Sequence, residues 1–397
     1  MNRTVQGGIK MEQTILTASK NYPELDRYLQ QHHFKTVLVV CDSSLPLLEI
    51  NQYFDEAGPR LSIQFIKFHH ISPNPQYESV VEGVAVFHQN HCDSIIAVGG
   101  GSAMDVAKCI KLYSHMDPEL NYLQQEIIPN TIELLAVPTT AGTGSEATRY
   151  AVIYLNGEKQ SITDESCIPN TVLFDASALK TLPEYQRKST MMDALCHGIE
   201  SFWSVNSTEE SQAFSKKAIR LILENKDSYL RNESSGNEAM LHAAYIAGKA
   251  INITQTTAGH AMCYKMTSLY GISHGHGAAL CVAELWPYMV QNSSNCIDIR
   301  GEGYLNHIFN QIAASMGCAS IEEGIQFFRR LLVTMKLDAP IPKHSDYSLL
   351  SQSVNPIRLK NNPVRLERKD IDNLYHKILR NGEAGNEGRH ISRNYWF

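Results

Sequence analysis

The sequence predicts an α/β N-terminal domain built on a parallel sheet, followed by an all-α C-terminal domain. Three observations predict it. Short apolar, β-branched runs alternate with segments of helical spacing as far as about residue 180. The alternation stops at Leu182-Pro183, and long amphipathic stretches such as Glu209–Glu224, Asn237–Ile251 and Leu305–Ala314 take over. With 397 residues the chain is also too long for one ordinary core. We therefore expect an α/β domain over 11–182, a helical domain over 183–380, and a polar tail over 381–397 that frays. The first ten residues, MNRTVQGGIK, read as an extension with no signal-peptide core.

In chain order, Thr36–Cys41 is a short apolar run closed by Asp42-Ser43-Ser44, a buried strand ending in a cap. Leu61–Phe68 reads as a second strand and Tyr77–Gln89 as a helix. Ser94–Val98 is a third strand, broken by Gly99-Gly100-Gly101-Ser102 before a helix over Ala103–Tyr113. Leu134–Val137 is another strand, followed by the polar, glycine-rich stretch Pro138–Glu146. Strands alternating with helices imply an open, mostly parallel sheet.

Composition narrows the partners. Charged residues make up 19% of the chain, the net charge is −6 and the pI is near 6.2, with no long basic run, which argues against nucleic acid and anionic membranes. No apolar run reaches the ~18–20 residues that span a bilayer. Nine cysteines without paired spacing point to a reduced, cytoplasmic setting.

The chemistry gathers on Met191–Ser201, MMDALCHGIES. Asp193 and His197 stand one helical turn apart on one face, so a carboxylate and an imidazole can converge on one cation. His260 and His274 supply further nitrogen ligands downstream. This oxygen and nitrogen set suits Fe(II) and Zn(II) alike. Cys196 and Cys263 read as small packing residues beside it. In Ser273-His274-Gly275-His276, His276 has two readings, a backbone-bonding turn residue or a proton carrier.

Upstream, GGGSAMDVAK (99–108) lets backbone approach a pyrophosphate at a helix start, although it lacks the G-x-G-x-x-G spacing. PTTAGTGSEAT adds hydroxyls after a neighbouring strand, and ligands bind open α/β sheets at such strand ends. Asp42 ends a strand as a helix cap or as the partner of an adenosine ribose; the second role favours NAD(H) over NADP(H).

GGGSAMDVAK, PTTAGTGSEATRYAVI (138–153), MMDALCHGIES, AGHAM (258–262) and SHGHGAAL (273–280) resemble the iron-containing (group III) alcohol dehydrogenase family in order and spacing, from about Thr14 to Leu379. The resemblance implies a Rossmann-like, dehydroquinate synthase-like N-terminal domain and a helical C-terminal domain, with the active site between them. It places the metal on Asp193, His197, His260 and His274. It places the cofactor on Asp42, Asn74, Gly99, Gly100, Gly101, Ser102, Asp105, Thr139, Thr140, Thr143 and Lys159. A homodimer or higher homo-oligomer is implied as well. Many members carry a histidine four residues after the third ligand for proton relay; here that position is Tyr264, so the relay uses Tyr264, His276 or water, or does not exist in that form.

Within the family, SEATRYAVIYLNGEKQSI, DALCHGIESFWSVNSTEES, INITQTTAGHAMCYKMTSLYG and SVNPIRLKNNPV are similar to members that reduce phosphonoacetaldehyde to 2-hydroxyethylphosphonate. An anionic substrate in a closed site needs fixed cations. Arg149 and Lys265 are the first choices, and Arg358 and Lys360 the next. The competing expectations are a reductase of sulfoacetaldehyde, a neutral short-chain aldehyde or alcohol dehydrogenase, and, in another class, a dehydroquinate synthase-like lyase.

Overall fold

The computed structural model describes residues 12–384; the expected N-terminal extension and most of the expected tail lie outside them. The chain forms two compact units. One runs up to Leu182 and takes back Arg231–Tyr245; the other comprises Pro183–Leu230 and the chain from Ile246 onward.

The described residues of the first unit form eight strands: β1 (Thr14–Thr17), β2 (Thr36–Cys41), β3 (Gln64–Phe68), β4 (Ser94–Gly99), β5 (Glu133–Pro138), β6 (Tyr150–Leu155), β7 (Glu158–Thr163) and β8 (Thr171–Phe174). Six of them form one parallel sheet in the order β1-β8-β5-β4-β2-β3. Val37–Val40, Ile95–Val98 and Leu134–Val137 are almost wholly buried. That explains why these strands read as continuous apolar runs without alternation. Each such aliphatic side chain contributes about 1.5–3 kcal/mol through burial.

The chain leaves β2 for β3 on one side and then crosses to β4 on the other, so the direction of winding reverses between β2 and β4. A parallel sheet opens a crevice at such a point, beyond the carboxyl ends of its strands.

Two details differ from expectation. The second strand starts at Gln64, because Leu61 closes the helix Glu49–Leu61 and Ser62 turns left-handed at φ 57°, with Ile63 N–H bonding Gly58 O at 3.0 Å. An apolar run cannot by its period distinguish a buried helix end from a strand start. β6 and β7 form an antiparallel hairpin, turned at Asn156-Gly157 with both residues at positive φ. Asn-Gly suits this tight turn because both central residues must be left-handed.

Arg231–Tyr245 packs against β8. His242 and Tyr245 bring their rings to 4.4 and 5.6 Å from that of Phe174, and Asn237 Nδ2 donates to Ala176 O.

The second unit is helical. Its frame includes Glu184–Trp203, Glu209–Leu230, Ala258–Tyr270, His274–Gln291, Glu302–Ser315, Ile321–Met335 and Arg368–Ala384. Glycine is required where two of these helices meet. A Cβ on Gly275 would lie 2.1 Å from Ser189 O and 2.6 Å from Asp193 Cβ. Among the described residues, no helix is long and apolar enough to cross a membrane.

Candidate functional site: a cation-binding group and a glycine-lined crevice

In the first unit, three neighbouring strands end side by side. β2 delivers Asp42, β4 delivers Gly100-Gly101-Ser102 at the start of the helix Gly101–Tyr113, and β5 delivers Thr139–Thr143. Asp42 Oδ1 accepts from Ser44 N at 2.9 Å and Ser44 Oγ at 2.5 Å, while Oδ2 faces Gly100 N at 3.4 Å. Asp42 therefore does not cap the short helix Leu45–Leu47, whose cap position is Ser44; its carboxylate closes a turn onto Ser44 and stands beside the glycine turn.

The glycines permit close approach rather than unusual backbone: Gly100 has φ −81°. A Cβ on Gly99 would meet Ala103 Cβ at 2.5 Å and Asp42 Oδ2 at 2.8 Å. One on Gly100 would press on Thr140, and one on Gly101 on Thr143. No side chain caps the helix at Gly100, so its first N–H groups suit a pyrophosphate.

The hydroxyl loop is tied down from below. Lys108, fully buried, donates from Nζ to Ser145 O, Ser145 Oγ, Thr148 O, Thr148 Oγ1 and Tyr150 O. Asp105 accepts from Ser145 Oγ and Val152 N; desolvation pushes its carboxyl up to about 6 against the pull of Lys108. Lys159 sits on β7 and its charge also acts on Asp105. Asn74 is exposed at φ 57°, with its carbonyl accepting from Gln76 Nε2.

In the second unit, Asp193, His260 and His274 bring one ligand atom each within 4.8 Å of one another. Asp193 and His260 are 2% and 1% exposed, so bulk solvent does not reach either. Asp193 Oδ1 and His260 Nε2 stand 3.4 Å apart, and neither has a hydrogen-bond partner among the described residues. His197, one turn along from Asp193, falls outside that group of three; its ring stacks on His260 at 4.5 Å and 17°.

Glu200 explains the orientation of His260, and sequence reasoning passed it over. It is wholly buried. Oε1 accepts from Thr257 N (3.2 Å), Thr257 Oγ1 (2.6 Å) and His260 N (3.2 Å), while Oε2 takes His260 Nδ1. A carboxylate on Nδ1 fixes a proton there, so that Nε2 is the nitrogen that turns its lone pair toward Asp193 and a shared cation once its own proton is displaced. Two acceptors facing each other in a dry site repel unless a proton or cation lies between them.

The electrostatics agree. Burial alone would raise Asp193, yet the imidazoles of His197, His260 and His274 hold it well below the usual carboxylate range. Burial opposes charge on His260 too, but the Glu200 and Asp193 carboxylates raise it to about 9. The donor set therefore fits a divalent cation. The signal for Glu200 was its spacing: it follows Asp193 by seven and His197 by three, on their face of the helix.

The remaining predicted residues are placed as follows. Tyr264 lies beside the group, its ring 5.3 Å from that of His274, and Arg358 Nη1 donates to its hydroxyl at 3.0 Å. His276 uses both ring nitrogens within the fold: Nε2 with Asp338 O and Nδ1 with Tyr185 Oη, each at 3.0 Å. Burial keeps it neutral, with a pKa lowered to about 4. Arg149, in the first unit, is ion-paired with Glu165. Lys265 is half-buried on the helix Ala258–Tyr270, and Lys360 is exposed. All nine cysteines are free thiols.

Comparison with known proteins adds two family models. One described as "Iron-containing alcohol dehydrogenase" matches residues 13–176, and one described as "Fe-containing alcohol dehydrogenase family, C-terminal" matches 188–379. A phosphonoacetaldehyde reductase of Streptomyces viridochromogenes is 30% identical over 298 residues, 71% of this chain and 75% of the relative. An NAD-dependent methanol dehydrogenase of Bacillus methanolicus is 32% identical over 262 residues, 64% of this chain and 68% of the relative.

Among solved structures, a 1,3-propanediol oxidoreductase superposes with a TM-score of 0.81 at 24% identity, covering 92% of this chain and 97% of its own. A sulfoacetaldehyde reductase from Bifidobacterium kashiwanohense in complex with NAD+ gives 0.79 at 22%, covering 95% and 99%. At these identities the likeness is one of fold.

Proposed function

Since the chain belongs to the iron-containing alcohol dehydrogenase family, and is therefore an oxidoreductase of a family that uses NAD and a metal, we propose that it reduces a small anionic aldehyde with NADH. The aldehyde we name is phosphonoacetaldehyde and the product 2-hydroxyethylphosphonate. The carrying observation is the pair of buried atoms Asp193 Oδ1 and His260 Nε2, which face each other at 3.4 Å with no hydrogen-bond partner among the described residues. Asp193, His260 and His274 would hold Fe(II) or Zn(II), with His197 from the next turn as a fourth ligand. When bound there, the cation would supply Lewis-acid polarisation of the carbonyl, and the reduced nicotinamide would supply the hydride.

The chain's own residues do the rest. Aldehyde, NADH and one proton give alcohol and NAD+, so a proton must reach the new alkoxide. Tyr264 is the donor: desolvation holds its phenol protonated, while the Arg358 guanidinium on its oxygen eases release. His276, neutral and bonded at both nitrogens, orients the start of its helix instead. Gly99–Ser102 and Thr139–Thr143 accept the pyrophosphate, and Asp42 the adenosine ribose.

The substrate name rests on the bacterial reductase among the relatives and on the need to neutralise a buried anion. Steady-state kcat/KM with phosphonoacetaldehyde, sulfoacetaldehyde and propanal tests it; a higher value for propanal refutes it. Net consumption of NADH separates a reductase from a lyase that recycles its cofactor. Asp42→Ala should raise the ratio of NADPH to NADH efficiency by about 10- to 100-fold, because a like charge beside the 2′-phosphate is removed. An unchanged ratio assigns Asp42 to its turn with Ser44 alone.

A further inference from the structure

We propose that Arg358, braced on Tyr264, is the residue that reads the anionic end of the substrate; this rests on the reading that the substrate is an aldehyde bearing an anion. Arg358 lies in the short helix Pro356–Leu359. Its Nη1 donates to Tyr264 Oη at 3.0 Å, and its Cζ stands 5.0 Å from the Tyr264 ring centroid. The same ring lies 5.3 Å from the His274 imidazole, inclined at 31°. Guanidinium, phenol and metal-type imidazole therefore stand in series, one aromatic ring separating the first from the last. A short aldehyde whose carbonyl lies at the imidazole end has its far end within reach of the guanidinium.

Helix geometry favours Arg358 over the other cations. Tyr264 follows His260 by four positions and so shares its face; Lys265 is turned away by about 100°. Lys360 is exposed, where an anion stays hydrated and a single charge has little effect. Arg149 is paired with Glu165. Arg358 is half-buried, which strengthens its field, and its planar fork matches a tetrahedral oxyanion at two oxygens. Tyr264 fixes that fork in place, so little side-chain freedom remains to be lost on binding.

The test uses the metal-loaded full chain and the variants Arg358→Gln and Arg358→Lys. For each, kcat/KM is measured with phosphonoacetaldehyde and with propanal, together with inhibition by methylphosphonate and metal content. We expect Arg358→Gln to lose about 30- to 100-fold more efficiency on the phosphonate aldehyde than on propanal, mostly in KM, with methylphosphonate inhibition weakened in parallel. Arg358→Lys should recover part of the difference, and it carries the same comparison if Arg358→Gln melts early. Equal losses on both aldehydes at full metal content would overturn the proposal and leave the reductase standing. A wild-type enzyme faster on propanal would instead overturn the substrate reading. Weaker methylphosphonate inhibition in Arg358→Gln would still support the anion seat in that case.

Discussion

Replacing His260 by Ala is expected to remove the bound metal and reduce turnover to background. His260 is the hinge of the site: Nδ1 is held by Glu200, Nε2 faces Asp193, and the ring is stacked on His197. Without it, the carboxylates of Asp193 and Glu200 remain buried with no imidazole between them. Leaving one partner of a buried charged pair uncompensated costs about 3–5 kcal/mol, and the loss falls first on Glu200, whose charge His260 supports, while Asp193 keeps His197 and His274 beside it but loses the facing nitrogen ligand.

Metal analysis of protein purified without oxygen gives the first readout and NADH consumption the second. Binding of NADH, followed by its fluorescence, gives a third, because Asp42, Gly99–Ser102 and Thr139–Thr143 belong to the first unit and should be untouched. A variant that binds NADH but holds no metal and does not turn over fits the assignment. Full metal occupancy with retained turnover refutes it.

Much of this was legible because it is local. β2, β4 and β5 announced themselves as apolar runs ended by Asp42, Gly99-Gly100 and Pro138-Thr139, since strands buried on both faces need no alternation. Asp193, His260 and His274 were visible by residue type and order. What stayed hidden depends on partners distant in sequence. Asn237–Ile251 reads as an amphipathic stretch, and an apolar face does not say which unit covers it; the rings of His242 and Tyr245 against Phe174 assign its first part to the first unit. His276 was readable as a histidine but not as a neutral one, because Tyr185 and Asp338 lie 91 and 62 positions away. The Arg358–Tyr264 contact spans 94 positions. Glu200 had the right helical spacing, but a glutamate in an apolar helix stands out only once Thr257 and His260 are seen to surround it.

Glu200→Gln is expected to weaken metal binding by about 10- to 100-fold while leaving the fold intact. The substitution keeps the side chain's shape, and the amide oxygen can still accept from Thr257 N, Thr257 Oγ1 and His260 N. The change falls on the bond to His260 Nδ1. There a carboxylate oxygen that accepts becomes an NH₂ that donates, and the imidazole responds by moving its proton to Nε2. Nε2–H then faces Asp193 Oδ1, satisfies it with an ordinary hydrogen bond and no longer offers a lone pair to a cation. The apo protein should therefore be no less stable than wild type, whereas its melting temperature should respond less to added metal. Metal affinity by competition with a chelator, and melting curves with and without metal, check this. Turnover should return at saturating metal, because the ligands themselves remain. An affinity equal to that of wild type would show that the backbone at the start of the helix Ala258–Tyr270 orients His260 unaided.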